Sequence, residues 1–358
     1  MTNNLAVPIL IVHKGNQEYL HICLKQAHYS NPNSRIILLG DESNKNCLPF
    51  VEWYNVHDYY THASKFEKIY RHFSCNPFEY ERFAFSRWFA INDFMKEQHL
   101  EQLFVNDSDV LIFTDFEKDV EHNIAMKNYD FIRAMPGDQH SIFFYSQDVL
   151  QKVCNYILSI FENEPLMNKL AEMVNMPDWC AIPKNIKRVQ NPDALLINNW
   201  DFAANPLSDM TVQYWFIQDN KSIKYFDYAT NDVAGRLINT QMEDDKYICM
   251  GRIINVVYIN GLPFAYNKRL NKLVQLHTMH FQGWKKELMG TFATYDKPKE
   301  YKKPVFTLSE LVDIYYMPNI GKKKLNLLQK LRIEIILLFF AADKKRKKNI
   351  KKILKVIK

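Results

Sequence analysis

Glycine is scarce, with nine in 358 residues, and neither G-x-x-x-x-G-K-[ST] nor G-x-G-x-x-G occurs. The two best-known glycine-rich phosphate cradles are therefore excluded, and any nucleotide must be held in another way. The six cysteines, Cys23, Cys47, Cys75, Cys154, Cys180 and Cys249, form no C-x-x-C. That pattern suggests neither a zinc ribbon nor a disulfide framework and points to a reducing cytoplasm. The opening "MTNNLAVPILIVHKGN" has no basic leader and no small-residue cleavage site. It reads as a first strand rather than a signal peptide.

What is present is a foldable chain with a lopsided charge. Hydrophobic residues at 47% and aromatics at 14% argue for a globule with a sizeable core, in one large domain or two modest ones. Residues 322 to 358 hold twelve Lys and two Arg against Glu334 and Asp343, a net +12, so the rest of the chain carries −6. A mildly acidic body bears a strongly basic tail.

Along the chain, "VPILIVHKG" (7 to 15) reads as a buried strand, "QEYLHICLKQAHY" (17 to 29) as an amphipathic helix and "SRIILLGDE" (34 to 42) as a second strand. This alternation predicts a parallel sheet with helices on its faces, and ligands bind such sheets at the carboxyl ends of the strands. His13, Asn16, Asp41 and Glu42 fall there and are candidates for a base or ribose, or else plain loop residues. Residues 60 to 99 read as mainly helical with a break near Pro77. Strands are expected at "YDFIRA" (129 to 134), "HSIFFYS" (140 to 146) and in "KYICMGRIINVVYIN", and a helix at "QDVLQKVCNYILSIFE".

Between two apolar segments lies "LFVNDSDVLIF" (103 to 113), a strand, an acidic turn and a strand resuming. Asn and Asp form turns readily, and a D-x-D triplet arises about once by chance in a chain of this length, so the placement at a strand end carries the weight. Asp107 and Asp109, at i and i+2 with Ser108 between, can direct their oxygens at one hard cation such as Mg²⁺ or Mn²⁺. Such an ion offsets charge on a leaving diphosphate. Late in the chain "HFQGWKK" (280 to 286) supplies an imidazole, His280, a glycine open to close approach, Gly283, and a compact cation, Lys286.

These motifs resemble the nucleotide-sugar glycosyltransferases of the GT-A fold, in particular glycosyltransferase family 8, which holds bacterial lipopolysaccharide galactosyltransferases and glycogenin. The resemblance covers roughly residues 80 to 115 and 277 to 286, with the first strand and helix. It implies a Rossmann-like mixed sheet flanked by helices over residues 1 to 300. Asp107, Asp109 and His280 are then the ligands of Mn²⁺ or Mg²⁺, Gly283 and Lys286 lie at the diphosphate, and Arg87, upstream of the acidic turn, reaches the donor. Where the family has an Asp-Gln pair near the donor sugar, "PLSDMTVQYW" offers Asp209 but Met210. That departure bears on the family's retaining stereochemistry. Asp209 is a candidate general base toward an acceptor hydroxyl, or a cap of the helix starting near Thr211. Trp179, Trp200 and Trp215 are candidates for an acceptor platform, or core residues.

The tail, within a second region 301 to 358, interleaves Leu, Ile and Phe with lysines, and its apolar stretch of about a dozen residues is too short to span a bilayer. It reads as a basic amphipathic helix on an anionic membrane surface. Nucleic acid is not expected as a partner, because no aromatic-basic sheet motif accompanies the lysines. The expectation is a cytoplasmic hexosyltransferase, peripheral on the inner face of the membrane, that moves sugar from a UDP-type donor to a lipopolysaccharide- or capsule-type acceptor. The alternatives are a non-catalytic membrane scaffold and a basic nucleic-acid-binding protein.

Overall fold

A computed structural model describes residues 7–74, 76–116, 131–133, 142–173, 207–223, 225–227, 239–241, 249–250, 253–268 and 271–297. The tail, the region 301 to 358, Trp179 and Trp200 lie outside these described residues.

The first third of the chain forms β1 (Ile9–Val12), α1 (Glu18–Ser30), β2 (Ile36–Gly40), β3 (Val51–Asn55), α2 (Thr61–Glu67), α3 (Phe78–Glu97), β4 (Gln102–Asn106) and β5 (Val110–Ile112). Then come β6 (Phe131–Arg133), β7 (Ile142–Ser146), α4 (Gln147–Phe161), α5 (Glu164–Met173), α6 (Asp209–Asp219), β8 (Tyr225–Asp227) and β9 (Asn239–Gln241). Late elements are β10 (Cys249–Met250), β11 (Ile253–Ile254), β12 (Val256–Ile259), β13 (Leu262–Asn267), β14 (Lys272–Gln275), β15 (Thr278–His280) and α7 (Met289–Phe292).

The main sheet runs β3-β2-β1-β4-β7-β6-β8. The strands from β3 to β4 are parallel, β7 is antiparallel to both β4 and β6, and β8 is parallel to β6. The parallel part, β3 to β4, is what the alternation of strands and helices predicts, and the antiparallel β7 makes the sheet mixed, as the family resemblance implies. All residues of β1 and β2 are buried, as strands covered on both faces require. Their side chains alternate between two cores. Leu10, Val12, Ile37, Leu39, Leu103 and Val105 face α2, α3 and α4. Ile9, Ile11, Ile36, Leu38 and Phe104 face α1, β5, β15 and α7.

Helix α3 follows Pro77, carries Glu79 and Glu81 in its first turn, and buries Phe85, Trp88, Phe89, Asn92 and Met95 at helical spacing. Its packing on the sheet leaves Arg87 between core and solvent, aimed at the strand ends.

Candidate active site

Strands β1, β2 and β4 all end at the same edge, which brings His13, Asp41 and the acidic turn to one rim of the sheet. The turn itself is clamped. The buried Asn106 donates through Nδ2 to the carbonyls of Asp107 (3.0 Å) and Val110 (3.2 Å). Cys23 of α1 donates through Sγ to Val110 O at 3.3 Å. Beyond the turn β5 pairs antiparallel with β15, Val110 opposite His280, and Phe281 N–H donates to Asp109 O at 2.8 Å. This register delivers His280, 171 residues away in sequence, to the side of Asp109.

The two carboxylates have different partners. Asp109 Oδ1 lies 3.4 Å from His280 Nε2, and its Oδ2 lies 3.1 Å from Lys286 Nζ. Burial alone raises the Asp109 pKa, but the hydrogen bond and charge of His280, together with Lys286, outweigh it and hold the group at about 2. Asp107 Oδ1 accepts from Arg87 Nη1 at 2.6 Å. Burial, opposed by Arg87 and reinforced by the charge of Asp109, pushes Asp107 upward. The two carboxyls titrate as a pair, with Asp109 ionising first.

Arg87 also reaches Asp209, Nη2 to Oδ2 at 3.3 Å, while Trp88 Nε1 donates to the same oxygen at 2.9 Å. Burial disfavours the guanidinium charge, and Asp107 and Asp209 more than restore it. Asp209 is the first residue of α6. Ser208 is the cap, its Oγ accepting from Thr211 N–H, and Asp209 Oδ1 accepts from Met210 N–H. The capping role considered for Asp209 thus belongs to its neighbour.

Lys286 lies 5.1 Å from the Tyr19 ring centroid, and the same ring makes an edge contact with His13 at 5.5 Å. Burial lowers the His13 pKa, aided by Lys286 and opposed by Gln17, Asp41 and Asp109. His13 therefore belongs to the cluster. Gly283 has φ +65° with open space where a Cβ would project, so the backbone conformation calls for glycine and leaves room for a ligand. Ser108 is half-buried in the turn.

The other candidates are occupied locally. Asn16 Oδ1 pairs with His21 Nε2 at 2.6 Å on the surface. Asp41 Oδ2 accepts from Gly15 N–H at 2.8 Å, and Oδ1 from both the N–H and the hydroxyl of Ser43. Glu42 pairs with Lys45. Trp215 packs against the first core, not on an open platform.

In kind, two carboxylates and an imidazole suit a Mn²⁺-like ion, and His280 and Asp109 are already neighbours. Among the described residues, however, no three such side chains surround one point, because Asp107 is turned onto Arg87.

Sequence reasoning passed over Trp88, Asn106 and Tyr80. Tyr80 is two turns before Arg87 on α3, 64% exposed, and lies in the field of Asp107 and Arg87. Spacing i, i+7 on a helix was a usable signal for Tyr80. Nothing in the sequence flags the clamp by Asn106.

No family model matches the sequence, and no curated protein sequence does. Solved structures with a similar course of chain include mouse xyloside xylosyltransferase 1 (9% identity, TM-score 0.37, 62% of this chain and 84% of that one). A glycosyltransferase involved in glycosylating the major capsid of PBCV-1 gives 12% identity, TM-score 0.34, 80% of this chain and 98% of that one. For glycosyltransferase GlyE of Streptococcus pneumoniae TIGR4 the values are 11%, 0.30, 62% and 45%. With TM-scores below 0.5, these likenesses carry no weight on family or activity.

Proposed function

We propose that the protein is a GT-A-type glycosyltransferase that uses a nucleotide-sugar donor. The observation that supports this most is the array Asp209–Arg87–Asp107 beside His280–Asp109–Lys286 at the carboxyl edge of the sheet.

Sugar transfer breaks the bond between the anomeric carbon and a phosphate oxygen, so negative charge builds on the departing diphosphate and positive charge on the sugar. Arg87 and Lys286 are fixed cations whose carboxylate partners a diphosphate can replace. Ionised Asp109 keeps Lys286 charged, its pKa raised by that carboxylate despite burial. Asp209, anchored by Arg87, Trp88 and Met210 N–H, is available either to take the proton of an acceptor hydroxyl or to stabilise the sugar cation. Asp107, Asp109 and His280 would hold Mn²⁺ or Mg²⁺, which when bound supplies Lewis-acid stabilisation of the diphosphate. His13 and the loop after β1 would flank the nucleoside of a UDP-type donor.

The segment 322 to 358 would attach the enzyme to an anionic membrane surface on the cytoplasmic side, near lipopolysaccharide- or capsule-type acceptors. Calorimetry with UDP, with and without Mn²⁺, followed by a panel of nucleotide sugars scored for metal-dependent donor hydrolysis, tests the reading. Absence of metal-dependent heat and of hydrolysis with every donor would refute it in favour of a scaffold.

A further inference from the structure

At the C-terminal end of α1 a surface cavity of about 350 Å³ opens between that helix, the residues after β5, the β12–β13 turn and the segment after α7. Its volume is that of a small-molecule site. Tyr19, in the first turn of α1, stands by Lys286, whereas Tyr29, ten residues on, lines this cavity. At the rise of an α-helix that separation is about 15 Å. The cavity is thus distinct from the candidate active site.

Hydrogen bonds within the protein fix its back wall. Gln26 Nε2 donates to Ile112 O at 3.2 Å, and Gln26 Oε1 accepts from Thr294 N–H at 2.7 Å. The Tyr258 hydroxyl donates to Phe292 O at 2.8 Å. Lys297 Nζ donates to the carbonyls of Gly290 (3.1 Å), Thr291 (2.7 Å) and Ala293, so its charge closes the end of α7. The mouth differs. Among the described residues, the Tyr29 hydroxyl and the side-chain amides of Asn260 and Gln275 have no hydrogen-bond partner. Tyr29 is 54% exposed. Asn260 and Gly261, with φ of +52° and +77°, lie between the paired Ile259 and Leu262. Positive φ at both positions is the two-residue type I′ geometry, which holds Asn260 at a fixed hairpin tip.

We propose that this cavity binds a sugar unit of a neutral glycan, with the Tyr29 ring against a face of the pyranose and the amides of Asn260 and Gln275 on its hydroxyls. A sugar hydroxyl both donates and accepts, and so do a carboxamide and a phenol, so each unengaged group at the mouth finds a partner. The tyrosine ring supplies an apolar face with a polar tip, which suits a ring that is apolar on its C–H face and polar at its edge. A phosphate-bearing ligand is a poorer occupant, because Lys297 is committed to backbone carbonyls and the Asp115 carboxylate lines the same cavity. Binding here does not require sugar transfer and does not involve Asp107, Asp109 or His280.

The test is saturation-transfer NMR and calorimetry of the full chain with lactose, cellobiose, maltose, N,N′-diacetylchitobiose and methyl α-mannoside, with uridine and inorganic phosphate as contrasting probes. At least one sugar is expected to bind. Tyr29→Ala is expected to weaken that binding about ten-fold through loss of the ring, and Gln275→Ala about five-fold through loss of one hydrogen bond. Both variants are expected to keep the parent's response to UDP with Mn²⁺, whatever that response is, which separates this site from the candidate active site. Should Gln275→Ala lower the melting temperature, Tyr29→Ala, at an exposed position, still decides. Absence of binding by every sugar overturns the proposal. So does sugar binding that Tyr29→Ala leaves unaltered or that UDP with Mn²⁺ displaces, and so does uridine or phosphate binding, in place of sugar, that Tyr29→Ala abolishes.

Discussion

Two acidic loops lie on the same edge of the sheet and are held in opposite ways. Asp41, after β2, accepts from the backbone N–H of Gly15 and from the N–H and hydroxyl of Ser43. Those donors are fixed parts of the chain, and the carboxylate splices the loop after β1 to the loop after β2. Asp107 and Asp109, after β4, are held by Arg87, His280 and Lys286, long or titratable side chains that can change partner. A carboxylate bonded to backbone donors is architecture. One balanced by side-chain cations is a site where a diphosphate or a metal ion can exchange with the existing pairs.

The sharpest way to break this comparison is Asp109→Ala. Donor turnover is expected to fall about 1000-fold in a chain that still folds, with melting lowered because His280 and Lys286 lose their carboxylate, and unchanged metal-dependent hydrolysis would count against the assignment. Arg87→Ala comes next, because it strands two carboxylates at once. Removing one partner of a buried pair costs about 3–5 kcal/mol, and denaturant titration alongside donor turnover should show both stability and activity reduced. Asp41→Asn should reverse that pattern, losing about 1–3 kcal/mol while turnover per folded molecule stays near the parent's. Although burial opposes it, hydrogen bonding by Ser43 and Gly15 lowers the Asp41 pKa. Its contribution is therefore full above the unfolded value near 4 and disappears as pH falls through the lower folded value. A melting difference between parent and variant that does not shrink as pH falls below the unfolded value would contradict this.

Glu81 of α3 gives a smaller, pH-dependent contrast. It is 2% exposed and accepts from Ser74 Oγ and Asn76 Nδ2. Burial and the charge of Asp209 raise its pKa to about 7 despite those bonds. A raised folded pKa means that stability is full below the unfolded value near 4.3 and is lost as pH climbs toward 7. Glu81→Gln should flatten that decline in melting between about pH 4 and 7, and an undiminished slope would refute the assignment. Smallest is Ser208→Ala, expected to cost about 1 kcal/mol as the lost cap of α6, read by chemical denaturation.

Much of the fold was legible in the residues. The apolar runs at 7 to 15, 34 to 42 and 140 to 146 contain β1, β2 and β7, and the amphipathic stretch from 17 to 29 overlies α1. The break expected near Pro77 falls between α2 and α3. The acidic turn and H-x-x-G-x-x-K were visible as spacings of chemically able residues. Less legible was which polar residues were already engaged. Asn16 and Asp41 share the strand-end position of His13, yet His21, Gly15 and Ser43 occupy them, and those pairings depend on loop conformation that no spacing reveals. Asp209 was read as general base or cap, but Ser208 takes the capping bond and leaves Asp209 facing Arg87.

By itself the sequence determined the alternation of buried strands and amphipathic helices, and with it the edge of the sheet where polar residues would collect, because periodicity and burial are local consequences of side-chain type. Only the tertiary structure decided the company each carboxylate keeps. The antiparallel pairing of β5 with β15 carries His280 across 171 residues to Asp109, and the packing of α3 aims Arg87 between Asp107 and Asp209. Ion pairing acts over a few ångströms in space and is indifferent to separation along the chain.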